Sequence, residues 1–361
     1  MNLFPKINTG RFHPFALLTI CAALALPLSA TLPAAAQTAA ETPQSSGWVD
    51  LSSHIVSTRG TPNLHSMDFI GQEGWIGSGS LPEIYHTIDG GLTFEVQTLP
   101  TEINALAMRN TLEGYAGGQN GRIYHTTDGG AAWVSIGTLG KPVRGLSCPP
   151  SGSTCYAVGD YGSAAAILGT AITLTSTGVV ATHLDSVSFP VDSTEGWLCG
   201  GGIIRHFIDG AWQADQTYPN NGYNAIAFGD HLNGWAVGDE GVIAHTTDGG
   251  KTDGSLSSAW HTETNPDPRS PRPTLNDVDA LNASEAWAVG NSGTILHTTD
   301  GGQTWTIEAS GLTNEMLVSV HAEDRQTVYV AGSNGVFLKY TSTAPALDRK
   351  IFLPMALRDN P

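Results

Sequence analysis

The stretch Gly234-Trp235-Ala236-Val237-Gly238-Asp239-Glu240-Gly241-Val242-Ile243-Ala244-His245-Thr246-Thr247-Asp248-Gly249-Gly250 decides the fold. Its two apolar runs, Trp235-Ala236-Val237 and Val242-Ile243-Ala244, each end in a turn containing glycine, and neither is long enough for an amphipathic helix. Short β-rich runs between Gly, Asp and Asn breaks read as antiparallel strands. The same grammar returns three more times. Ala286-Trp287-Ala288-Val289-Gly290 leads to His297-Thr298-Thr299-Asp300-Gly301-Gly302, Tyr115-Ala116-Gly117 to His125-Thr126-Thr127-Asp128-Gly129-Gly130, and Trp75-Ile76-Gly77 to His86-Thr87-Ile88-Asp89-Gly90-Gly91. A unit repeated at such a period cannot bury its apolar face alone and must pack against its neighbours.

Working outward, the aromatic that opens the second strand occurs at Trp75, Tyr115, Tyr156, Trp197, Trp235, Trp287 and Tyr329, at spacings of 40, 41, 41, 38, 52 and 42 residues. Four strands per ~40 residues make one propeller blade. The expectation is an all-β, seven-bladed β-propeller over residues 47–340. The long spacing holds an insertion at 253–259, which parts Thr252 from Trp260, and a Pro-rich loop at 265–273. The seventh unit stops at Phe337-Leu338-Lys339-Tyr340, whereas Gly47-Trp48-Val49-Asp50-Leu51 resembles a fourth strand with nothing before it. The N-terminal strand is expected to complete the last blade, closing the ring and removing an exposed edge.

Local chemistry explains the Asp-Gly-Gly turns. Thr87, Thr126, Thr246 and Thr298, with Asp89, Asp128, Asp248 and Asp300, can accept hydrogen bonds from nearby backbone N–H groups. Gly91, Gly130, Gly250, Gly302 and the glycine before each provide positive φ. Phe94, Trp133, Trp260 and Trp305 follow as apolar anchors. A residue present once per blade is distributed around a ring, so these aspartates cannot converge on one substrate. By the same logic His86, His125, His245 and His297, with His206 in a degenerate copy, do not form a metal cluster. All are read as structural, and no catalytic residue, cofactor or metal is assigned. Two blades break the pattern. The third has no such turn between Ser163 and Val180, and the fourth keeps only Phe207-Ile208-Asp209-Gly210-Ala211-Trp212.

Residues 1–36 have the layout of a secretory signal peptide: Lys6 and Arg11, an apolar core from Phe15 to Ala30, and small residues ending at Ala36, the expected cleavage site. A membrane anchor is the alternative, but the stretch is short and interrupted by Pro27. A linker is assigned to 37–46. The chain has 361 residues and a formal charge of −17, which becomes −19 once Lys6 and Arg11 are removed. That charge excludes nucleic acid as a partner. Cys148 and Cys155 flank a turn-rich loop and are expected to form a disulfide in an oxidising compartment. Cys199 lies in an apolar strand pattern with no cationic neighbour in sequence, which reads as a buried, inert thiol.

The turns match Ser/Thr-x-Asp-x-Gly-x-x-Trp/Phe, the Asp box or BNR repeat. With residues 234–252, 286–305 and 114–133, the chain resembles the Ycf48/HCF136-like propellers, the photosystem II stability and assembly factor family. The resemblance implies an exported, non-enzymatic scaffold that binds a protein partner such as a membrane-protein complex or envelope component, and an arginine-rich binding patch. The arginines of the first four units are Arg59, Arg109, Arg122, Arg144 and Arg205. A monomer is expected. The competing classes are an Asp-box glycosidase and a carbohydrate-binding propeller. Sialidase chemistry would call for an Arg-Ile-Pro segment, which does not occur, but a hydrolase using two carboxylates across the channel would draw on Asp68, Asp185, Asp277 and Asp279. The structural alternative for these four is solvated strand ends. Residues 341–361 read as a linker and a short apolar tail, either a sorting signal or a terminal strand packed on the propeller.

Overall fold

The computed structural model describes residues 47–180, 182–213, 216–217, 222–250, 260–308 and 311–342. The signal peptide with Ala36, the 37–46 linker, the 253–259 insertion and the tail beyond Ser342 lie outside the described residues. What is described forms seven antiparallel sheets. Blade 1 shows the plan, with strands Leu64–Ile70, Glu73–Ser78, Glu83–Thr87 and Glu95–Thr98 paired in sequence order. The first strands of blades 2 to 7 are Ile103–Met108, Val143–Ser147, Ser186–Ser188, Tyr223–Phe228, Leu275–Ala280 and Leu317–Ala322. These seven strands line a central channel.

The two faces differ in their loops. On one, the turn between the second and third strands bonds to the residue leading into the first, as in Asp160 N–H to the Pro142 carbonyl and Asn291 N–H to Thr274. On the other, the Asp-Gly-Gly turn bonds to the loop between the first and second strands, as in Gly129 N–H to Leu112 and Gly249 N–H to Leu232.

The core lies between blades rather than within them. Each apolar cluster draws on two neighbours; Trp235, Ile243, Leu275 and Leu296 share one that joins blades 5 and 6. Trp75, Trp197, Trp235 and Trp287 are among the largest fully buried side chains. At ~1.5–3 kcal/mol or more for burying a large apolar side chain, these inter-blade contacts hold the ring together.

The ring closes as the sequence indicates. Strand Gly47–Asp50 pairs antiparallel with Phe337–Thr341, from Gly47 opposite Thr341 to Asp50 opposite Leu338. Trp48 then rests edge-on against Trp287, with ring centroids 5.9 Å apart, and against Tyr340 at 5.4 Å. Blades 3 and 4 replace the Asp box with short hairpins. In blade 4, Asp209 and Gly210 have φ of 54° and 78°, the mirror-image turn favoured between twisted strands.

Candidate functional site: the channel and its polar mouth

The Asp boxes are local fasteners. In blade 2 the Thr126 hydroxyl donates to Asp128 Oδ1 at 2.8 Å and accepts from Gly130 N–H at 2.8 Å, while Asp128 Oδ1 accepts from Ala132 N–H at 2.9 Å. Thr87 with Asp89 and Gly91, Thr246 with Asp248 and Gly250, and Thr298 with Asp300 and Gly302 repeat the arrangement. The backbone and hydroxyl donors hold Asp128 and Asp300 below the usual carboxylate range. A side chain at Gly130 would be strained and crowded: its φ is +90°, and a Cβ would sit 3.2 Å from the indole nitrogens of both Trp75 and Trp133.

Each box is also tied to the preceding blade. Trp75 Nε1 donates to the Gly129 carbonyl at 2.8 Å and Trp197 Nε1 to Gly249 at 2.9 Å. Trp133 donates back to Gln97 at 2.9 Å and Trp305 to Glu263 at 2.6 Å, while Phe94 packs edge-on against Phe337 of blade 7. Where blade 3 has no box, Tyr115 donates instead to the carbonyl of Gly169 in its hairpin, at 3.0 Å.

The histidines stay apart, one per blade, each stacked on its own second-strand aromatic. Trp75–His86, Tyr115–His125, Trp197–His206, Trp235–His245 and Trp287–His297 have ring centroids 3.7 to 5.0 Å apart. Carboxylates hold the rings: Glu73 for His86, Glu113 for His125, Glu195 for His206, Glu263 for His245 and Glu285 for His297. The Glu-x-Trp/Tyr dipeptide spacing that supplies most of these partners is visible in the sequence but reads there as ordinary turn polarity.

Among the described residues, His, Cys, Asp and Glu form no group suited to a metal ion. Cys148 and Cys155 are joined as a disulfide, and Cys199 is a buried thiol that burial pushes well up.

The four candidate carboxylates are not solvated strand ends. The inner edge of each first strand faces the channel with no strand beyond it, so its N–H groups need other acceptors. Asp68 Oδ2 accepts from Met108 N–H at 2.7 Å, Asp277 Oδ2 from Val320 N–H at 2.9 Å, and Asp279 Oδ2 from Ala322 N–H at 2.8 Å. Each bond reaches the next blade. Serine takes the same position elsewhere: Ser66 accepts from Leu106, Ser147 from Phe189, and Ser188 from Phe228. Asp185 instead receives Arg144 Nη1 at 3.2 Å.

Asp68, Asp277 and Asp279 therefore gather on blades 1 and 6, either side of His321 on blade 7. His321 Nδ1 lies 3.5 Å from Asp68, and its Nε2 lies 3.5 Å from Glu323. Burial pushes Asp277 up to about 7, aided by the Asp279 charge, and also raises Asp68. Burial alone would depress His321, yet the bond to Glu323 and the charges of Asp68, Asp279 and Glu323 hold it above its ordinary value.

The channel encloses about 660 Å³. At the mouth opposite the Asp boxes, register shifts bulge His65, Asn104, Arg144, Asn224 and Asn276 out of their first strands. Bulges re-aim side chains and recur next to binding sites. Most of these side chains link to the next blade, as in Asn224 Nδ2 to the Leu275 carbonyl at 3.0 Å and Asn276 Nδ2 to Leu317 at 2.7 Å. Blade 3 adds a strained aromatic. Tyr161 has φ 58° and is 59% exposed, where blades 5, 6 and 7 place Glu240, Ser292 and Asn334 in the same conformation. Lys141 Nζ lies 4.8 Å from its ring centre, and the His183 ring is 6.2 Å away. Arg144 and His183 both bond Asp160 beside it.

The arginines do not assemble into a patch. Arg59 pairs with Glu83 at 3.4 Å and Arg109 with Glu113 at 3.5 Å, Arg122 bonds Ser135, and Arg205 is buried inside blade 4. Of the five, Arg144 alone stands at the channel mouth.

A family model described as photosynthesis system II assembly factor YCF48 matches residues 204–307 and 252–341. Blades 4 to 7 are therefore similar to the repeats of that family. The matched repeats run from the third strand of blade 4 to the end of blade 7. Over 65 residues the chain is 42% identical to the photosystem II stability/assembly factor HCF136, chloroplastic, of Oryza sativa subsp. japonica, a match spanning 18% of this chain and 16% of that protein. Among solved structures, YCF48 bound to D1 peptide is 20% identical with a TM-score of 0.64, covering 82% of this chain and 97% of that one. YCF48 from Cyanidioschyzon merolae gives 17% and 0.63, with 82% and 98% covered. The WD40 repeats of RRP9 score 0.65 at 10% identity, so the likeness in structure speaks for the propeller ring, and the likeness to YCF48 rests on the repeats of blades 4 to 7.

Proposed function

We propose that this YCF48-like chain is an exported, non-catalytic assembly scaffold whose polar channel mouth holds an extended segment of a membrane-protein partner. The match of blades 4 to 7 to the family carries this reading. The geometry supports the choice of face. The Asp-box face is occupied by turns whose polar groups bond one another, whereas the opposite mouth, its bulged amides tied to the next blade, adds Arg144, Lys141 and the exposed Tyr161 ring. An aromatic flanked by cations suits a peptide chain, since the ring contributes contact area at low entropic cost and the cations take backbone carbonyls or a carboxylate. Export is supported by residues 1–36 and by the Cys148–Cys155 disulfide.

A photo-crosslinking amino acid placed at position 161, and separately at Leu112 on the Asp-box face, tests the proposal in the native envelope. Adducts to integral membrane proteins are expected from position 161 and not from 112, on a chain whose N-terminus is Gln37. Equal labelling from both positions, or none from 161, overturns the face assignment, and a retained residue 1 overturns the export.

A further inference from the structure

Blade 3 presents an outer edge unlike any other. Its fourth strand, Ala171–Ser176, is six residues long and pairs on one side with Ser163–Leu168, from Ser163 opposite Ser176 to Leu168 opposite Ala171. No described strand pairs on its other side. Among the described residues the outer strands elsewhere are short or interrupted, blade 4 showing only Ala211–Trp212 and Gln216–Thr217. Blades 5 and 6 end in two residues each, His261–Thr262 and Thr306–Ile307, blade 1 begins its outer strand with Glu95, blade 7 ends its own in Asp50, and blade 2 interrupts Val134–Thr138 with Gly137. From Ser163 to Thr182 the sequence has no charged residue, in a chain with 33 acidic and 16 basic residues. Leu168 is 55% exposed, Leu174 66% and Val180 83%. A long, uncharged edge flanked by exposed aliphatic side chains lacks every usual guard against strand addition.

We infer that the Ala171–Ser176 edge is a second docking surface, distinct from the channel mouth, which accepts an uncharged extended strand of a partner polypeptide flanked by basic residues. Backbone groups of the edge would supply the affinity, and small or β-branched side chains would fit beside Thr173 and Leu174, the usual logic of strand addition. A charged residue within the added strand would lose hydration against neutral neighbours without gaining a counter-charge. Basic flanks are favoured by the acidic body, which attracts them at long range. The same field opposes a second copy of this chain, whose net charge of −17 repels its twin.

The probe is a peptide of alternating threonine and valine, six residues long, with two lysines at each end, titrated into the full chain. Saturable binding is expected, with amide-exchange protection at 171–176 and at least a tenfold loss in Leu174→Lys or Thr173→Lys. Both substituted side chains are exposed, and an unchanged melting temperature shows that each variant folds. Tyr161→Ala should leave this binding unaltered, which separates the edge from the mouth. Glutamate-flanked peptide binding equally well, protection elsewhere, indifference to both lysines, or dimerisation through the edge in sedimentation would each overturn the inference. The channel-mouth reading survives all of those results.

Discussion

Blades 6, 7 and 1 and blades 3, 4 and 5 solve the same problem with different chemistry. In both arcs the inner edge of a first strand must satisfy N–H groups that face the channel. Blades 3 and 4 use hydroxyls: Ser147 for Phe189, and Ser186 and Ser188 for Ile226 and Phe228. The other arc keeps one such hydroxyl, Ser66, and adds carboxylates, with His321 between Asp68 and Asp279. A hydroxyl makes its bond regardless of pH. A carboxylate makes a stronger one but brings a proton equilibrium into the wall of the channel. The acidic arc also contains the point where the chain ends meet. Closure and titration therefore fall on the same arc of three blades.

The largest expected effect breaks that arc outright. Deleting Gly47–Asp50 strips blade 7 of its outer strand and removes Trp48 from Trp287 and Tyr340. Loss of a fully buried tryptophan typically costs ~3–5 kcal/mol; Trp48 is partly buried, so a smaller share of that adds to the lost ladder of backbone bonds. Calorimetry should show the single transition split, with blades 6 to 1 melting first. An unchanged, cooperative melt would mean that the serine arc alone holds the ring.

Next in size is the titration itself. Asp277 is pushed up to about 7 from an ordinary 3.8, so its folded form keeps a proton that the unfolded chain gives up earlier. The stability it contributes is full below about 4 and drains away as pH rises through 7. His321, raised above 6.5, acts in the same direction, its contribution being lost as pH climbs past its folded value. The Asp boxes have the opposite sign, but Asp128 and Asp300 are lowered and act only below this window. Asp277→Asn keeps a carbonyl oxygen for Val320 N–H and removes the titration. Relative to the parent it should gain about 2 kcal/mol at pH 7.5, the channel's water being allowed for, and should flatten the decline between pH 5 and 7.5. Denaturant melts at four pH values measure this. Parallel pH profiles for the two proteins would show that the carboxyl never leaves its ordinary range.

Sequence and structure meet unevenly along the chain. The blade count, the closure by Gly47–Asp50 and the Thr126–Asp128–Gly130 turn are legible because each follows from a local period or a turn rule. Asp68, Asp277 and Asp279 are visible as acidic residues on first strands, but nothing in one strand reveals that its inner edge faces a channel, or that the next blade's N–H groups await an acceptor. The histidines show the same limit. Their repetition places them one per blade, while their partners Glu73, Glu113 and Glu285 become intelligible only when the second and third strands lie side by side. The place of Tyr161 is legible, since Gly159-Asp160-Tyr161-Gly162 repeats Gly238-Asp239-Glu240-Gly241, but its exposure and its neighbours Lys141 and His183 are not.

The smallest effect sharpens the contrast from the serine side. Ser147→Ala leaves Phe189 N–H without its 3.0 Å acceptor at the channel wall. Water in the channel can replace part of that bond, so the expected loss is about 1 kcal/mol, near the net worth of a neutral hydrogen bond. It should be the same at pH 5 and pH 8, because no group near Ser147 changes charge as a result. If the loss instead grew with pH, the serine arc would be coupled to the carboxylates across the channel, and the two arcs would have to be treated as one electrostatic unit. A constant loss keeps them separate: one arc ties its blades through carboxylates that exchange protons, and the other holds its blades by bonds indifferent to pH.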